Sequence, residues 1–144
     1  MTDMKPAWFY NKSGVIPFTL KNDKLKILLV LSRSRKRWVI PKGIIEPGMT
    51  PQESAVKEAY EEAGIEGKIF TGEIGNYCYR KWGGECRVAV FPFKVETVHD
   101  SWPESHIRER KWLTPEEARK TVRETGLKQL IDRLGIYLET HPGT

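Results

Sequence analysis

Cysteine is scarce in this chain. Of 144 residues only Cys78 and Cys86 carry a thiol, too few for the disulfide framework that staples small secreted domains. They flank an expected hairpin turn at Trp82-Gly83-Gly84-Glu85 and are read as two reduced thiols in strands. No apolar run approaches the roughly 18 residues a membrane-spanning helix requires, and the first residues (Met1-Thr2-Asp3-Met4-Lys5-Pro6-Ala7-Trp8) hold no apolar signal core. The expected compartment is the cytoplasm. Histidine is rare too: His99, His106 and His141 show no ligand-like spacing, and no role is assigned to them. An internal repeat, a low-complexity tract and an interdomain linker are all missing, so residues 1–144 are read as a single domain, large enough to bury about two-thirds of its unfolded surface.

What the chain does have is charge of both signs in two places. The formal net charge is +5, which favours anionic ligands in general and does not by itself separate polyphosphates from nucleic acid. Four of the cations fall within five residues, in Arg33-Ser34-Arg35-Lys36-Arg37. A second group, Arg80, Lys81 and Arg87, flanks the hairpin turn. Either group reads equally as a solvated surface or as an anion-binding wall. The acids gather instead in Glu58, Glu61 and Glu62. With about 100° per residue, the E-x-x-E-E spacing puts three carboxylates on one side of a helix, while Ala55, Val56, Ala59, Tyr60 and Ala63 fill a neighbouring arc suited to a core. Like charges about 6 Å apart repel by roughly 2–3 kcal/mol per pair at an effective dielectric near 20. Taken alone, such a run is as readily a solvated helix face; a hard divalent cation, Mg²⁺ or Mn²⁺, would also offset the repulsion.

The helix is well marked. Thr50-Pro51-Gln52-Glu53 reads as a capping box with proline at the first helical position, and Gly64 as a left-handed stop. Elsewhere, residues 1–12 read as an edge strand or arm, with Trp8-Phe9-Tyr10 packing back on the body. Residues 13–20 and 25–32 read as strands joined at Lys21-Asn22-Asp23-Lys24, the second one apolar enough to be covered on both faces. Residues 38–40 read as a short strand, 68–79 and 85–96 as a hairpin, and 108–113 as another strand. A second capping box, Thr114-Pro115-Glu116-Glu117, starts a short helix, and the spacing of Leu127, Leu130, Ile131, Leu134 and Leu138 predicts an amphipathic helix over 126–139. Strands mixed with two or three helices indicate a layered α/β domain.

The segment from Gly43 to Ile65 resembles the Nudix box, in which a Gly is followed by five residues, a Glu, seven residues and Arg-Glu-apolar-x-Glu-Glu-x-Gly-apolar. Gly43, Glu58, Glu61, Glu62 and Gly64 are in register. Met49 stands where the box has its first Glu, Lys57 replaces the Arg, and Ala59 replaces a larger apolar residue. The loss at position 49 reads either as tolerated, with Glu46 compensating from three residues earlier, or as a weakened site. The resemblance implies the Nudix α/β/α sandwich with a mixed β-sheet, and divalent-metal-dependent hydrolysis of a pyrophosphate bond. Mg²⁺, or Mn²⁺ as the alternative, would be held by Glu58, Glu61 and Glu62 with the backbone carbonyls of Lys42 and Gly43. Glu61 would be the general base, and Glu58 is the second carboxylate given a catalytic role.

Within the family, the Ser-Arg to Arg-Trp run over 32–38 is similar to the phosphate-binding loop of the diphosphoinositol polyphosphate branch. Arg33 and Arg37 match its positions, which implies substrate contacts from them; Arg35 and Lys42 are read as further substrate contacts, and Arg80, Lys81 and Arg87 as a second group. Trp102-Pro103-Glu104 and Arg108-Glu109-Arg110-Lys111-Trp112 are similar to runs downstream of the box in that branch, and Glu104 reads as a loop residue or as an extra acid. The expected partner is a polyphosphorylated small molecule, of diphosphoinositol or dinucleoside polyphosphate type, with no membrane. RNA 5′-pyrophosphate removal and a catalytically weak phosphate sensor are the alternatives. The absence of a base-reading motif weighs against RNA. Oligomeric state stays open.

Overall fold

The computed structural model of the chain describes residues 9–81 and 83–141. The element order is β1 (Phe9–Lys21), β2 (Lys24–Leu31), β3 (Trp38–Val39), β4 (Lys42–Ile44), α1 (Pro51–Ala63), β5 (Ile65–Ile69), β6 (Gly75–Lys81), β7 (Gly84–Val98), β8 (Arg110–Leu113), α2 (Pro115–Thr121) and α3 (Thr125–Thr140). The strands form one mixed sheet in the order β3-β2-β1-β7-β5, with β4 on β1, β6 on β7 and β8 on β2. At its centre β1 and β7 run parallel, from Phe9 opposite Glu85 to Phe18 opposite Lys94. The other pairings are antiparallel.

Side-chain alternation along the strands splits the core into two layers. On one face Ile16, Phe18, Ile27, Leu29, Val88 and Val90 meet α2 and α3 through Ala118, Val122, Leu127, Leu130, Ile131 and Leu134. On the other, Val15, Leu28, Val30, Phe91, Phe93 and Val95 meet α1 through Ala55, Ala59 and Ala63. β2 contributes to both layers, as its near-continuous apolar run required. The three small α1 residues bring that helix close to the sheet, where Ser54 Oγ donates to the Ile44 carbonyl of β4 at 3.2 Å. Both expected capping boxes are present, on Thr50 and Thr114, and Gly64 adopts φ 66°, ψ 37°.

Several boundaries differ from expectation. Residues 9–12 are central, because β1 starts at Phe9 and pairs with both β7 and β4. Residues 1–8 and the side chains of Phe9 and Tyr10 lie outside the described residues, as does Trp82 of the turn, and with them the expected aromatic packing. The expected strand over 68–79 is two strands. At Phe70 and Ile74 the chain still bonds to Pro92 O and Val90 O, but between them it leaves the sheet, so that Phe70 turns inward and meets Phe18 edge-on at 5.8 Å. Lys42–Ile44 is a strand, not only a loop: it borrows its hydrogen bonds from β1, with Gly43 opposite Ser13. The expected strand over 108–113 begins at Arg110, since Arg108 N still closes a turn onto Glu104 O at 3.0 Å.

Candidate active site

The last two turns of α1 present the three glutamates, and each meets a different environment. Glu62 is buried, at 7% exposure. Its Oε1 accepts from the Lys42 backbone N–H at 3.2 Å, and its Oε2 lies 3.4 Å from Arg108 Nη2. Glu58 lies against β4: a Cβ on Gly43 would stand 2.3 Å from its carboxyl carbon and Oε2. A side chain at position 43 would displace the Glu58 carboxylate from this place. Glu61 points outward, 3.0 Å from Lys57 Nζ, which also reaches Glu46 at 3.1 Å.

Electrostatics follows from this packing. Burial, and then the charge of Glu62, push the Glu58 carboxyl up to about 8. Glu62 is also shifted upward, by burial, against the pull of Arg108 and Lys42. A buried and a half-buried carboxylate in contact disfavour double ionisation and titrate as a pair. Lys57 is shifted upward by its bonds to Glu61 and Glu46. Among the described residues the acids do not converge into a ready-made cage of three, because Lys57 draws Glu61 away from the other two.

Beside Glu62 opens a cavity of about 450 Å³, lined by Lys12, Ser32, Arg33, Ser34, Arg37, Val39, Lys42, Glu62, Tyr79, Lys81, Glu104 and Arg108. Six cations thus face two carboxylates. Burial lowers Lys42 to about 8 and also lowers Lys12, so both ammonium groups are short of water and disposed to take an anion. Lys12 Nζ donates to the Tyr79 hydroxyl at 2.8 Å. Lys42 Nζ lies 5.5 Å from the centre of the Tyr79 ring, and the Tyr77 ring is stacked at 6.2 Å. Burial shifts the Tyr79 hydroxyl upward, which keeps it protonated.

Of the residues singled out from sequence, Arg33, Arg37, Lys42, Lys81 and Glu62 line this cavity. Glu58 and Gly43 lie immediately behind it. Arg35 does not line it: with φ 61° it turns out to pair with Glu109. Arg80 and Arg87 do not line it either. They stand on the sheet face opposite to Tyr79 and Lys81, since Cys78 pairs with Arg87 and Tyr79 with Cys86, and Arg80 meets Glu85 at 3.9 Å. Arg37 is held at 3.2 Å by Glu124 at the start of α3. Lys12, Tyr79, Arg108 and Glu124 were not assigned a role from sequence. The signal for Lys12 was its place directly before the buried run of β1; for the others, strand and helix pairings across the chain were needed. Glu104 lines the cavity and accepts from Arg108 Nε at 2.6 Å.

Known proteins resemble this chain over most of its length. A family model for the NUDIX domain matches residues 11–134. The chain is similar to Nudix hydrolase 16, mitochondrial, of Arabidopsis thaliana, 34% identical over 137 residues covering 83% of this chain and 76% of that protein. It is 30% identical over 119 residues to diphosphoinositol polyphosphate phosphohydrolase 3-alpha of Mus musculus, covering 81% and 71%. Among solved structures, a binary complex of the C. elegans Ap4A hydrolase superposes with a TM-score of 0.80 at 23% identity, covering 91% of this chain and 98% of that one. That likeness is one of fold.

Proposed function

The chain belongs to the Nudix family, and from that premise we propose that it is a divalent-metal-dependent pyrophosphohydrolase. Its substrate is a phosphate-rich small molecule of diphosphoinositol or dinucleoside polyphosphate type, and residues 1–144 act as one domain. The observation that carries this reading is the juxtaposition of a cavity wall bearing six cations with the buried acidic pair Glu58–Glu62.

The donor set suits a metal. Two carboxylates, pushed upward by burial, lie against the Lys42–Gly43 backbone, and all these donors are hard oxygens of the kind Mg²⁺ prefers, with Mn²⁺ as the alternative. Glu58, Glu61 and Glu62, with the carbonyls of Lys42 and Gly43, are the residues that would hold it. Bound there, the ion would neutralise phosphate oxygens and lower the pKa of a water molecule. Glu61, more exposed than Glu62 and ion-paired with Lys57, is suited to accept the proton of an attacking water as general base. Glu58 and Glu62 would be the main ligands, both ionised once the metal is bound. Arg33, Arg37, Lys42 and Lys81 bind the substrate phosphates, while Arg35, Arg80 and Arg87 would meet only a substrate extending beyond the cavity.

Within the substrate class, Tyr79 favours the diphosphoinositol type. It is the one aromatic residue among the described lining residues, and it already holds Lys12, Lys42 and Tyr77, so among the described residues the lining offers no unengaged aromatic ring to stack on a nucleobase. This also weighs against RNA. The two free thiols support a cytoplasmic location. Among the described residues no helix is long and apolar enough to cross a membrane.

The test is product release, with and without Mg²⁺: phosphate from a diphosphoinositol polyphosphate, two nucleotides from a dinucleoside tetraphosphate, and pyrophosphate or phosphate from a 5′-triphosphorylated RNA. Release should require Mg²⁺ and be fastest with the first. Glu62→Gln should lower turnover at least ~100-fold, the scale of losing one electrostatic element of a site. Binding of these compounds without Mg²⁺-dependent release would refute the enzyme in favour of a sensor.

A further inference from the structure

Glu61 and Glu62 lie in the last turn of α1, where a helix is least secure. The final carbonyls of a helix find no partner within it, and they carry its negative end. α1 has no basic residue of its own in that turn. The segment 99–110 supplies what is missing, one carbonyl at a time. Glu104 N–H donates to Glu61 O at 3.1 Å, Trp102 Nε1–H to Glu62 O at 3.0 Å, Arg110 Nη1 to Ala63 O at 2.7 Å, and His99 N–H to Gly64 O at 2.8 Å. The Arg110 guanidinium also bonds to His99 O and stacks on Trp102, 3.9 Å from the ring. The Trp102 ring in turn packs on Gly64, where a Cβ would meet it at 2.8 Å.

The same segment reaches the side chain. Buried Arg108 approaches Glu62 Oε2, takes Glu104 through Nε, and donates through Nη1 to Leu31 O at 2.9 Å, directly before the basic loop that begins at Ser32. Backbone and carboxylate of Glu62 are therefore fixed from one piece of chain. A helix cap needs neither a guanidinium stacked on an indole nor a buried fork onto a functional carboxylate. Both are what is needed to hold like charges still in a fraying turn.

We propose that Trp102 and Arg110, with Arg108, are positioning residues that brace the last turn of α1 and so hold Glu61 and Glu62 at the cavity. This rests on the hydrolase reading above. Of the three, Trp102 and Arg110 do not line the cavity, whereas Arg108 does, so the test is made on Trp102 and Arg110. Removal of a donor should therefore lower kcat and leave KM alone.

The experiment compares wild type with Trp102→Phe, which keeps an aromatic ring without the N–H, and with Arg110→Lys and Arg110→Met. Turnover, KM, thermal midpoint and hydrogen exchange at the amides of Glu61–Gly64 are measured on each. We expect kcat to fall about 10- to 100-fold, the scale of a displacement near 1 Å, with KM within about two-fold on the same grounds. Exchange in the last turn should quicken, and Arg110→Lys should recover part of the activity that Arg110→Met forfeits. A raised KM at unchanged kcat would overturn the proposal, and so would unchanged kcat with unchanged exchange. Should wild type hydrolyse none of the compounds, the hydrolase reading fails separately. Exchange then decides the brace alone: faster exchange in the folded variants keeps it, and unaltered exchange overturns it.

Discussion

Stripped of divalent metal, the protein should lose stability as pH rises from about 5.5 to 7.5, with Glu58 as the main cause. Burial and the neighbouring Glu62 move its carboxyl from 4.5 to about 8. A carboxyl raised on folding binds its proton more tightly in the native state, so between those two values the folded protein carries a proton that the unfolded chain has released. Stability then falls with pH: the contribution is complete below 4.5 and is lost as pH passes through about 8. At about 1.4 kcal/mol per unit the full separation would correspond to nearly 5 kcal/mol, but Glu58 is only half-buried and solvent screens it, which leaves about 2 kcal/mol. For a domain of this size that is a drop of roughly 6 °C in thermal midpoint. Lys42 acts in the opposite sense but in another window. Lowered to about 8 from 10.5, it makes stability rise only above pH 8. Calorimetry of EDTA-treated wild type and Glu58→Gln across the lower window separates the contribution. The variant should be nearly flat where wild type falls, and Mg²⁺ should restore wild type most at the upper end. A wild type without pH dependence, or a variant that falls as steeply, would refute the reasoning.

Arg33 has no carboxylate partner among the described residues, whereas Arg37 is paired with a largely buried Glu124. Arg33→Ala should therefore raise KM, by about 1.5–3 kcal/mol for each charged hydrogen bond to phosphate that the alanine cannot make, at unchanged thermal midpoint. Arg37→Ala should raise KM and also lower stability by about 1 kcal/mol; equal stability of the two variants would count against the ion pair. Ser13 Oγ is buried without a hydrogen-bond partner among the described residues, so Ser13→Ala should stabilise by about 1 kcal/mol, and a lowered midpoint would show that the hydroxyl has a partner. Glu46→Gln leaves Lys57 to Glu61 alone, and the Mg²⁺ needed for half-maximal turnover should rise by up to about five-fold, the scale of one exposed pair. An unchanged Mg²⁺ midpoint would mean that Glu46 does not stand in for the carboxylate missing at position 49.

The elements best read from sequence are those specified by residues close together in the chain. α1 was legible to the residue, because Thr50, Pro51, Glu53 and Gly64 each fix a local conformation. α2 and α3 were legible for similar reasons, a capping box in one and apolar spacing in the other. Failures came where a partner far along the chain decides. Lys42–Ile44 has no strand pattern of its own and is a strand because Ser13 and its neighbours offer hydrogen bonds. Residues 68–79 read as one strand because Lys68 to Ile69 and Tyr77 to Tyr79 both carry β-formers. What breaks it is the pull of Phe70 toward Phe18 and Tyr137, a contact across the core.

The site divides the same way. Glu58, Glu61 and Glu62 were placed on one helix by spacing alone, but their three separate environments depend on Gly43, Arg108 and Lys57, two of which lie outside α1. For the second basic group the deciding quantity was parity. Period-two alternation puts Lys81 with Tyr79 and Tyr77, and Arg80 with Cys78 on the other face. The sequence therefore already said that Arg80 and Lys81 point apart. It did not say which face held the cavity. That depends on Tyr77 pairing with Val88, and Val88 with Lys12, which brings Lys12, Tyr79 and Lys81 to one side. A slip of one residue between β6 and β7 would exchange the faces of β6 and bring Arg80 to the cavity in place of Lys81, and a slip of β7, with β6, along β1 would bring Arg87 there as well. The register of β1, β6 and β7 is thus itself a determinant of ligand binding. It is held by Tyr77, which the first slip would turn out of the layer under α3, and by Val88 and Val90, which the second would turn out with it.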